Sequence, residues 1–312
     1  MPTLEAIQKL RENIRRVFVG RDEPVDLILT ALICGGHVLI EDLPGLGKTT
    51  LVSSLARSLG CTFARIQFTP DLTPSDVTGY TVLDLKTGER RVNFGSIMHQ
   101  IILADEINRT GPKTQSCLLE AMQEGQVSID GETYPLPSPF MVLATQNPAE
   151  LAGTFPLPEA QLDRFLMRIS LGYPDRIQER EILTRGLADT RPADLEQVFT
   201  AGDLEEIQKE YRAVRCGQPI MDYIIHIAEA SRKHEQVALG VSPRGSLALM
   251  NAARAYACLQ GRDFVLPDDV QRLAEPVLLH RLQLKSQALF KQQTPAQVLR
   301  GILGELRVPA VS

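Results

Sequence analysis

The sequence predicts an α/β fold: a parallel sheet around a phosphate-binding loop, followed by a helical second region. Three observations predict it. A glycine loop, Asp42-Leu43-Pro44-Gly45-Leu46-Gly47-Lys48-Thr49, stands between an apolar run, Val38-Leu39-Ile40, and a helix-like stretch, Thr50 to Leu59. Strand, glycine loop, Gly-Lys-Thr and helix together suit a polyphosphate: the glycines let successive N–H groups point inward, and the helix N-terminus adds partial positive charge. The run Ile101-Ile102-Leu103-Ala104 is wholly apolar, as in a strand buried on both faces, and it ends in Asp105-Glu106. From Pro174 onward, strand-like runs give way to helical periodicity.

The elements follow in order. Leu4, Ile7, Leu10, Ile14 and Val17 share one face of a helix over 4–17, and residues 23–34 make a second helix leading to the first strand. After the loop and its helix, Phe63 to Phe68 reads as a strand. Residues 79–95 read as a hairpin turning at Lys86-Thr87-Gly88. The strand at Ile101 to Ala104 precedes a helix over Pro112 to Glu124, with Leu118, Leu119 and Met122 on its buried face. Residues 126–137 read as a second hairpin, turning at Asp130-Gly131. Phe140 to Thr145 and Arg168 to Leu171 complete the strands. Strands alternating with helices imply a parallel sheet. Helices are then expected at 175–188, 203–214, 219–235, 243–260 and 267–282, with an irregular joint between Ala188 and Leu204. The domains divide as 1–174 and 175–312.

The chain has 312 residues, of which 44% are hydrophobic, with a net charge of −5. That suits a full core and argues against nucleic acid as the main partner. No apolar run approaches the roughly 20 residues needed to span a bilayer, so no membrane insertion is expected. The N-terminus, Met-Pro-Thr-Leu-Glu, reads as no signal peptide. Five widely spaced cysteines form no Cys-x-x-Cys pair, which suits reduced thiols in the cytoplasm. The five histidines show no metal spacing, and His37 reads as structural.

Several side chains carry the expected chemistry. Lys48 would reach the β- and γ-phosphates, and the Thr49 hydroxyl would ligate Mg2+. Asp105 would hold the same ion, and Glu106 would orient the attacking water; phosphoryl transfer asks mainly for such positioning and charge stabilisation. Asn147 follows a strand of the same sheet, where it would bond the γ-phosphate or the water; elsewhere an Asn before Pro is a turn former. Arg164, in Leu162-Asp163-Arg164-Phe165, would project toward a neighbouring subunit's γ-phosphate; arginine is always charged and forks onto phosphate oxygens. In Ser242-Pro243-Arg244 the serine caps a helix and proline suits its first position, so Arg244 would point from the helix start to contact the nucleotide in cis. One departure from the loop pattern stands out: Asp42 occupies the position of its first glycine.

In this order the glycine loop, Asp105-Glu106, Asn147, Arg164 and Arg244 resemble the motifs of the AAA+ ATPases. Several strings narrow the resemblance to the MoxR family: Glu41-Asp42-Leu43-Pro44-Gly45, Arg65-Ile66-Gln67-Phe68-Thr69-Pro70-Asp71-Leu72, Ser75-Asp76-Val77-Thr78-Gly79, Leu103-Ala104-Asp105-Glu106-Ile107-Asn108-Arg109, and Phe155-Pro156-Leu157-Pro158-Glu159-Ala160-Gln161-Leu162-Asp163-Arg164-Phe165. The resemblance covers nearly the whole chain and absorbs Asp42, since that family commonly has Glu-Asp there. At Gly95-Ser96 the family more often has Gly-Pro.

The resemblance implies an AAA+ αβα nucleotide-binding domain followed by an all-helical lid, with ATP or ADP and Mg2+ between them. Val19 and Gly20 would flank the adenine, and Pro44, Gly45, Leu46, Gly47, Lys48, Thr49 and Thr50 would cradle the phosphates. Asn147 takes the sensor 1 role, Arg244 sensor 2 and Arg164 the arginine finger. The two hairpins correspond to the helix-2 and pre-sensor-1 inserts. The family implies a ring, usually a hexamer, and chaperone-like remodelling of protein partners, often with von Willebrand factor A domains, in the cytoplasm. The competing expectation is a nucleic-acid motor. It needs basic pore hairpins; the hairpin 126–137 has no basic residue, while 79–95 carries Lys86, Arg90 and Arg91.

Overall fold

The computed structural model describes residues 2–86, 88–148, 153–188 and 191–309. Two N-terminal helices, α1 (Pro2–Arg15) and α2 (Asp22–Ile33), lead into β1 (Val38–Glu41), the glycine loop and α3 (Lys48–Ser58). Next come β2 (Phe63–Gln67), the short α4 (Pro74–Thr78) and the hairpin β3 (Gly79–Leu83) and β4 (Arg90–Phe94). Then β5 (Ile101–Asp105) runs through a 3-10 turn, Ile107–Arg109, into α5 (Pro112–Glu124). A second hairpin, β6 (Gln126–Ile129) and β7 (Glu132–Pro135), precedes β8 (Met141–Gln146), α6 (Glu159–Leu162) and β9 (Met167–Ile169). The expected first-hairpin turn includes Thr87, which lies outside the described residues, as do 189 and 190 of the expected joint.

The sheet is parallel, in the order β2-β5-β8-β1-β9. Its three central strands, β5, β8 and β1, are short and mainly apolar on both faces because both faces are covered. Val38, Ile40, Leu103 and Leu143 face one core, shared with α1, α2 and α3. Leu39, Ile102, Ala104 and Val142 face the other, shared with α5 and the second hairpin. The two hairpins touch each other: the Thr81 N–H donates to Asp130 Oδ2 at 3.1 Å, and the Phe94 and Tyr134 rings meet edge-on with centroids 5.2 Å apart.

The rest of the described residues form a mainly helical region, the lid. Its elements are α7 (Arg176–Ala188), α8 (Ala201–Ala213), α9 (Gln218–Lys233), β10 (Val237–Leu239), α10 (Pro243–Leu259), α11 (Pro267–Leu278), β11 (Gln283–Leu284), α12 (Ser286–Phe290) and α13 (Pro295–Glu305). The antiparallel ribbon of β10 and β11 was not expected, and neither were α12 and α13. The expected helix over 267–282 stops at Leu278 and continues as a 3-10 turn, Leu279–Arg281. Pro276 lies inside it, lacks an N–H and crowds the carbonyl one turn earlier. Beyond α7, the helical region does not fold over the glycine loop. Its helix α10 packs on α2, and α11 packs on β9, so α1, α2 and the lid share one apolar core.

Candidate functional site

The glycine loop leaves the carboxyl end of β1, where open α/β sheets bind ligands. Gly45 and Gly47 have φ of 84° and 79°, left-handed values that side chains resist. Gly47 caps α3, so the first N–H groups of that helix open toward the loop. Lys48 Nζ donates to the Asp42 main-chain carbonyl at 2.8 Å. Burial lowers the Lys48 pKa, while Asp42, Asp105 and Glu106 act in the opposite direction. The Asp42 side chain has a structural task. It is buried and accepts from Ser170 Oγ at 2.6 Å, the Leu171 N–H at 2.5 Å and the Gly172 N–H at 3.3 Å. A carboxylate at the loop's first position thus ties the loop to the chain leaving β9.

The acidic pair forms the facing wall. Asp105 Oδ1 accepts from Thr145 Oγ1 at 2.6 Å, and Oδ2 accepts from Arg65 Nη2 at 2.6 Å and Nε at 3.1 Å. A guanidinium therefore stands where this carboxylate calls for a cation. That charge demand, with the Thr49 hydroxyl in the same cleft, fits a magnesium ion. Glu106 is left-handed, φ 58° and ψ 48°, which turns its side chain out of the strand line. Its N–H donates to Thr145 Oγ1 at 2.9 Å, and its Oε2 accepts from Gln67 Nε2 at 2.7 Å, with Arg109 Nη1 at 3.5 Å. Asn147, Pro44, Thr50 and Lys48 line the same cavity, of about 410 Å³, as do Arg65, Gln67 and Thr145. Sequence reasoning did not single out these last three. Their signal was present as polar residues near the ends of the strands beside β5.

An apolar cavity of about 340 Å³ adjoins it, sharing Gly45, Gly47 and Thr50. Val19, Gly20 and Leu46 line it, as expected of a base-binding pocket. So do Phe18, Leu171, Tyr173 and the α7 residues Gln178, Ile182 and Arg185, which were not expected. Gly20 has a steric reason: a Cβ there would meet the Phe18 ring at 2.6 Å.

Arg164 and Arg244 lie elsewhere, together. Both line a cavity with His37, which precedes β1, so they stand toward the amino ends of the strands, away from the glycine loop. Arg164 Nη1 donates to the Leu119 carbonyl at 2.7 Å. Arg244 Nε is 3.6 Å from Asp163 Oδ2. The expected contact of Arg244 with the nucleotide in cis is therefore corrected. Ser242 does cap α10, accepting from the Gly245 N–H at 3.1 Å. However, α10 docks on α2, which carries its start to the Arg164 face.

Helix α5 connects the two arginine-bearing and acidic regions. One end follows Glu106 through the 3-10 turn, and near the other the Leu119 carbonyl holds Arg164. Between them the buried Gln115 Nε2 lies 2.8 Å from the Phe155 carbonyl and 3.2 Å from those of Ile107 and Thr110. The loop ahead of Arg164 is also anchored by the lid. Arg281, almost fully buried, donates from Nε to Asp163 Oδ1 at 2.6 Å and from Nη2 to the Phe165 carbonyl at 2.8 Å. Burial lowers its pKa and the Asp163 charge opposes this. Arg281 left no local signal in the sequence.

His37 is structural, as read. Nδ1 accepts from the Val142 N–H and Nε2 donates to the Met122 carbonyl, each at 3.0 Å. Burial pushes its pKa down to about 4. Among the described residues no group of three or more His, Cys, Asp or Glu is placed to hold a metal, and no helix is long and apolar enough to cross a membrane.

Residues 37–167 match the family model described as ATPase family associated with various cellular activities (AAA), and 229–302 match the AAA lid domain. The chain is 50% identical over 301 residues to the uncharacterised protein YeaC of Bacillus subtilis, covering 96% of this chain and 94% of that one. It is 43% identical to Chaperone MoxR1 of Mycobacterium tuberculosis, covering 96% and 81%. It is 31% identical to Protein MoxR of Methylorubrum extorquens, covering 90% and 88%. The crystal structure of a presumed ATPase from Cytophaga hutchinsonii superposes with a TM-score of 0.92 at 37% identity, covering 99% and 96%.

Proposed function

This chain belongs to the MoxR family of AAA+ ATPases, and from that membership we propose a magnesium-dependent ATPase, completed between subunits of a ring, that remodels or matures a protein partner. One observation carries the reading. Lys48, Asp105, Glu106 and Asn147 share one cleft, while Arg164 and Arg244 stand together on another face. The cleft can bind a nucleotide but holds neither arginine, so a neighbouring subunit would supply them.

The roles follow from position. Val19, Gly20 and the α7 side chains hold the base. The Pro44-to-Thr50 loop and Lys48 hold the phosphates. Thr49 and Asp105 would hold magnesium, which supplies charge neutralisation of the phosphates when bound. Glu106 orients a water so that its oxygen attacks the γ-phosphorus while the bond to the β–γ bridging oxygen breaks, leaving ADP and phosphate. Asn147 aligns water and γ-phosphate. Arg164, with Arg244 beside it, stabilises the developing charge in trans. The dividing line at 174 and 175 would place α7 at the start of the lid.

A protein partner is favoured over nucleic acid by the first hairpin, which exposes Leu83 and Leu85 by 53% and 90%. The relative named Chaperone MoxR1 supports a chaperone-like role, and a von Willebrand factor A domain is the partner class we would test first. Five free cysteines suit a reducing compartment, the cytoplasm.

The test is ATP hydrolysis against protein concentration, with sedimentation of the same samples. Specific activity should rise as a ring forms. Glu106→Gln should bind ATP without turnover, and Arg164→Ala should regain activity when mixed with it. Concentration-independent activity in a monomer would overturn the ring. Binding of single-stranded DNA at low salt that weakens with added salt would favour the motor.

A further inference from the structure

The segment that carries Arg164 has little structure of its own. It runs from α6, four residues long with no buried side chain, to β9. What fixes it comes from elsewhere in the chain. The Leu119 carbonyl of α5 holds Arg164 itself, and Arg281 of the lid holds the residues on both sides of it. Nε of Arg281 donates to Asp163 Oδ1 at 2.6 Å, and Nη2 donates to the carbonyls of Asp163 at 3.2 Å and Phe165 at 2.8 Å. Nη1 donates to the Leu166 carbonyl at 3.2 Å and to that of Val277. A guanidinium has five N–H donors, and here all five find acceptors, four of them in residues 163–166. The Arg281 side chain is only 4% exposed. A buried ion pair adds little stability over well-packed apolar side chains. What the rigid, planar fork supplies is geometry.

The same contact reaches the second arginine. Asp163 Oδ1 takes Arg281, while its Oδ2 lies 3.6 Å from Arg244 Nε. Gly245, next to Arg244, leaves room for the arrangement: a Cβ there would stand 3.1 Å from Arg281 Cδ and 2.9 Å from Val241 Cγ1. Arg281 lines the cavity of Arg164 and Arg244, and neither the acidic cleft nor the apolar cavity. We propose that Arg281 is a positioning residue for hydrolysis in the neighbouring subunit: it aims Arg164 and, through Asp163, Arg244. The inference rests on the trans reading of Arg164 and adds the residue that aims it. It also sets a direction. Loss of the fork should spare the cleft of its own subunit and impair the next one, whereas a residue that merely fastens the lid would affect both.

The experiment mixes two full chains at saturating Mg-ATP and reads turnover, at concentrations where sedimentation shows equal assembly. The donor carries Glu106→Gln and presents Arg164; the acceptor carries Arg164→Ala and keeps its cleft. Their mixture should regain hydrolysis. Arg281→Lys keeps a charge for Asp163 and loses the fork. Added to the donor, it should cut the rescue about tenfold or more, since misplacing a group by about 1 Å can cost roughly a hundredfold. Added to the acceptor instead, it should leave the rescue within about twofold, and the donor's ATP affinity should change no more than that. Gly245→Ala keeps Arg281 and crowds its Cδ, and should give the same one-sided loss, several-fold in size. An Arg281→Lys donor that rescues like its parent would overturn the positioning role. Losses that are equal whichever chain carries either substitution would make the role structural and overturn it as well. No rescue by the donor with Arg281 intact would overturn the trans reading, and this inference with it.

Discussion

Changing Asp42 to glycine restores the usual first residue of a phosphate loop, yet it should weaken this protein. The Asp42 carboxylate accepts from Ser170 Oγ, the Leu171 N–H and the Gly172 N–H, at 2.6, 2.5 and 3.3 Å. Hydrogen bonds to a charged group contribute about 1.5–3 kcal/mol each, so the two short ones set a ceiling of about 6 kcal/mol. The Ser170 hydroxyl is on an exposed residue and regains water. The Leu171 amide is buried, and an orphaned donor costs about 1–3 kcal/mol. Glycine adds backbone freedom to the unfolded chain, at about 0.5–1 kcal/mol. The expected loss is therefore about 3 kcal/mol, read as a lower urea midpoint at unchanged slope. Leu171 and Gly172 also line the base pocket, so the same change loosens the join between phosphate loop and pocket. ATP binding, titrated in the Glu106→Gln background, should weaken at least about tenfold, equivalent to about 1.4 kcal/mol. Stability within about 1 kcal/mol of the parent, together with unchanged affinity, would refute the reasoning and return Asp42 to an ordinary loop position.

Other expectations follow from single contacts. Arg281→Met leaves Asp163 without its buried partner and should cost about 3–5 kcal/mol; Arg281→Met with Asp163→Leu should recover part of that stability, and equal losses in the single and double variants would deny the pairing. Gly20→Ala puts a Cβ 2.6 Å from the Phe18 ring; it should displace that ring and raise the Kd for ATP several-fold with little change in the turnover of bound ATP, as single-turnover kinetics would read. His37 has a folded pKa of about 4, below its ordinary 6.5. The unfolded state therefore binds the extra proton, and stability is complete above pH 6.5 and falls toward pH 4 by about 1.4 kcal/mol per pH unit. Melting temperatures across that window should show the slope; burial also lowers the His280 pKa, which adds a slope of the same sign, so His37→Asn should make the profile shallower without removing it, while lowering stability throughout.

Much of the cleft was legible because it is built from short contiguous strings. The helix over Pro112 to Glu124 has the observed bounds because Gly111-Pro112 opens it and Gly125, at φ 65°, closes it. The last helix, α13, carried a readable start as well: Thr294 and Gln297 form a capping box around Pro295. Arg65, Gln67 and Thr145 were harder, because their roles depend on strand order, which places β2 and β8 on either side of β5. Arg281 was illegible, since its partner Asp163 is far away in sequence and its burial comes from the docked lid.

The sequence alone determined the α/β class, the phosphate loop, the acidic pair and the succession of helices. Each rests on local periodicity or on neighbours a few residues apart, where backbone geometry fixes what a side chain can reach. Tertiary structure decided where the lid lies, and hence where Arg244 lies. Both a lid over the cleft and a lid against α2 satisfy the same helical pattern in 175–312. The apolar surface shared by α1, α2, α10 and α11 selects the second, because burying nonlocal apolar area decides between arrangements that local preferences leave equal.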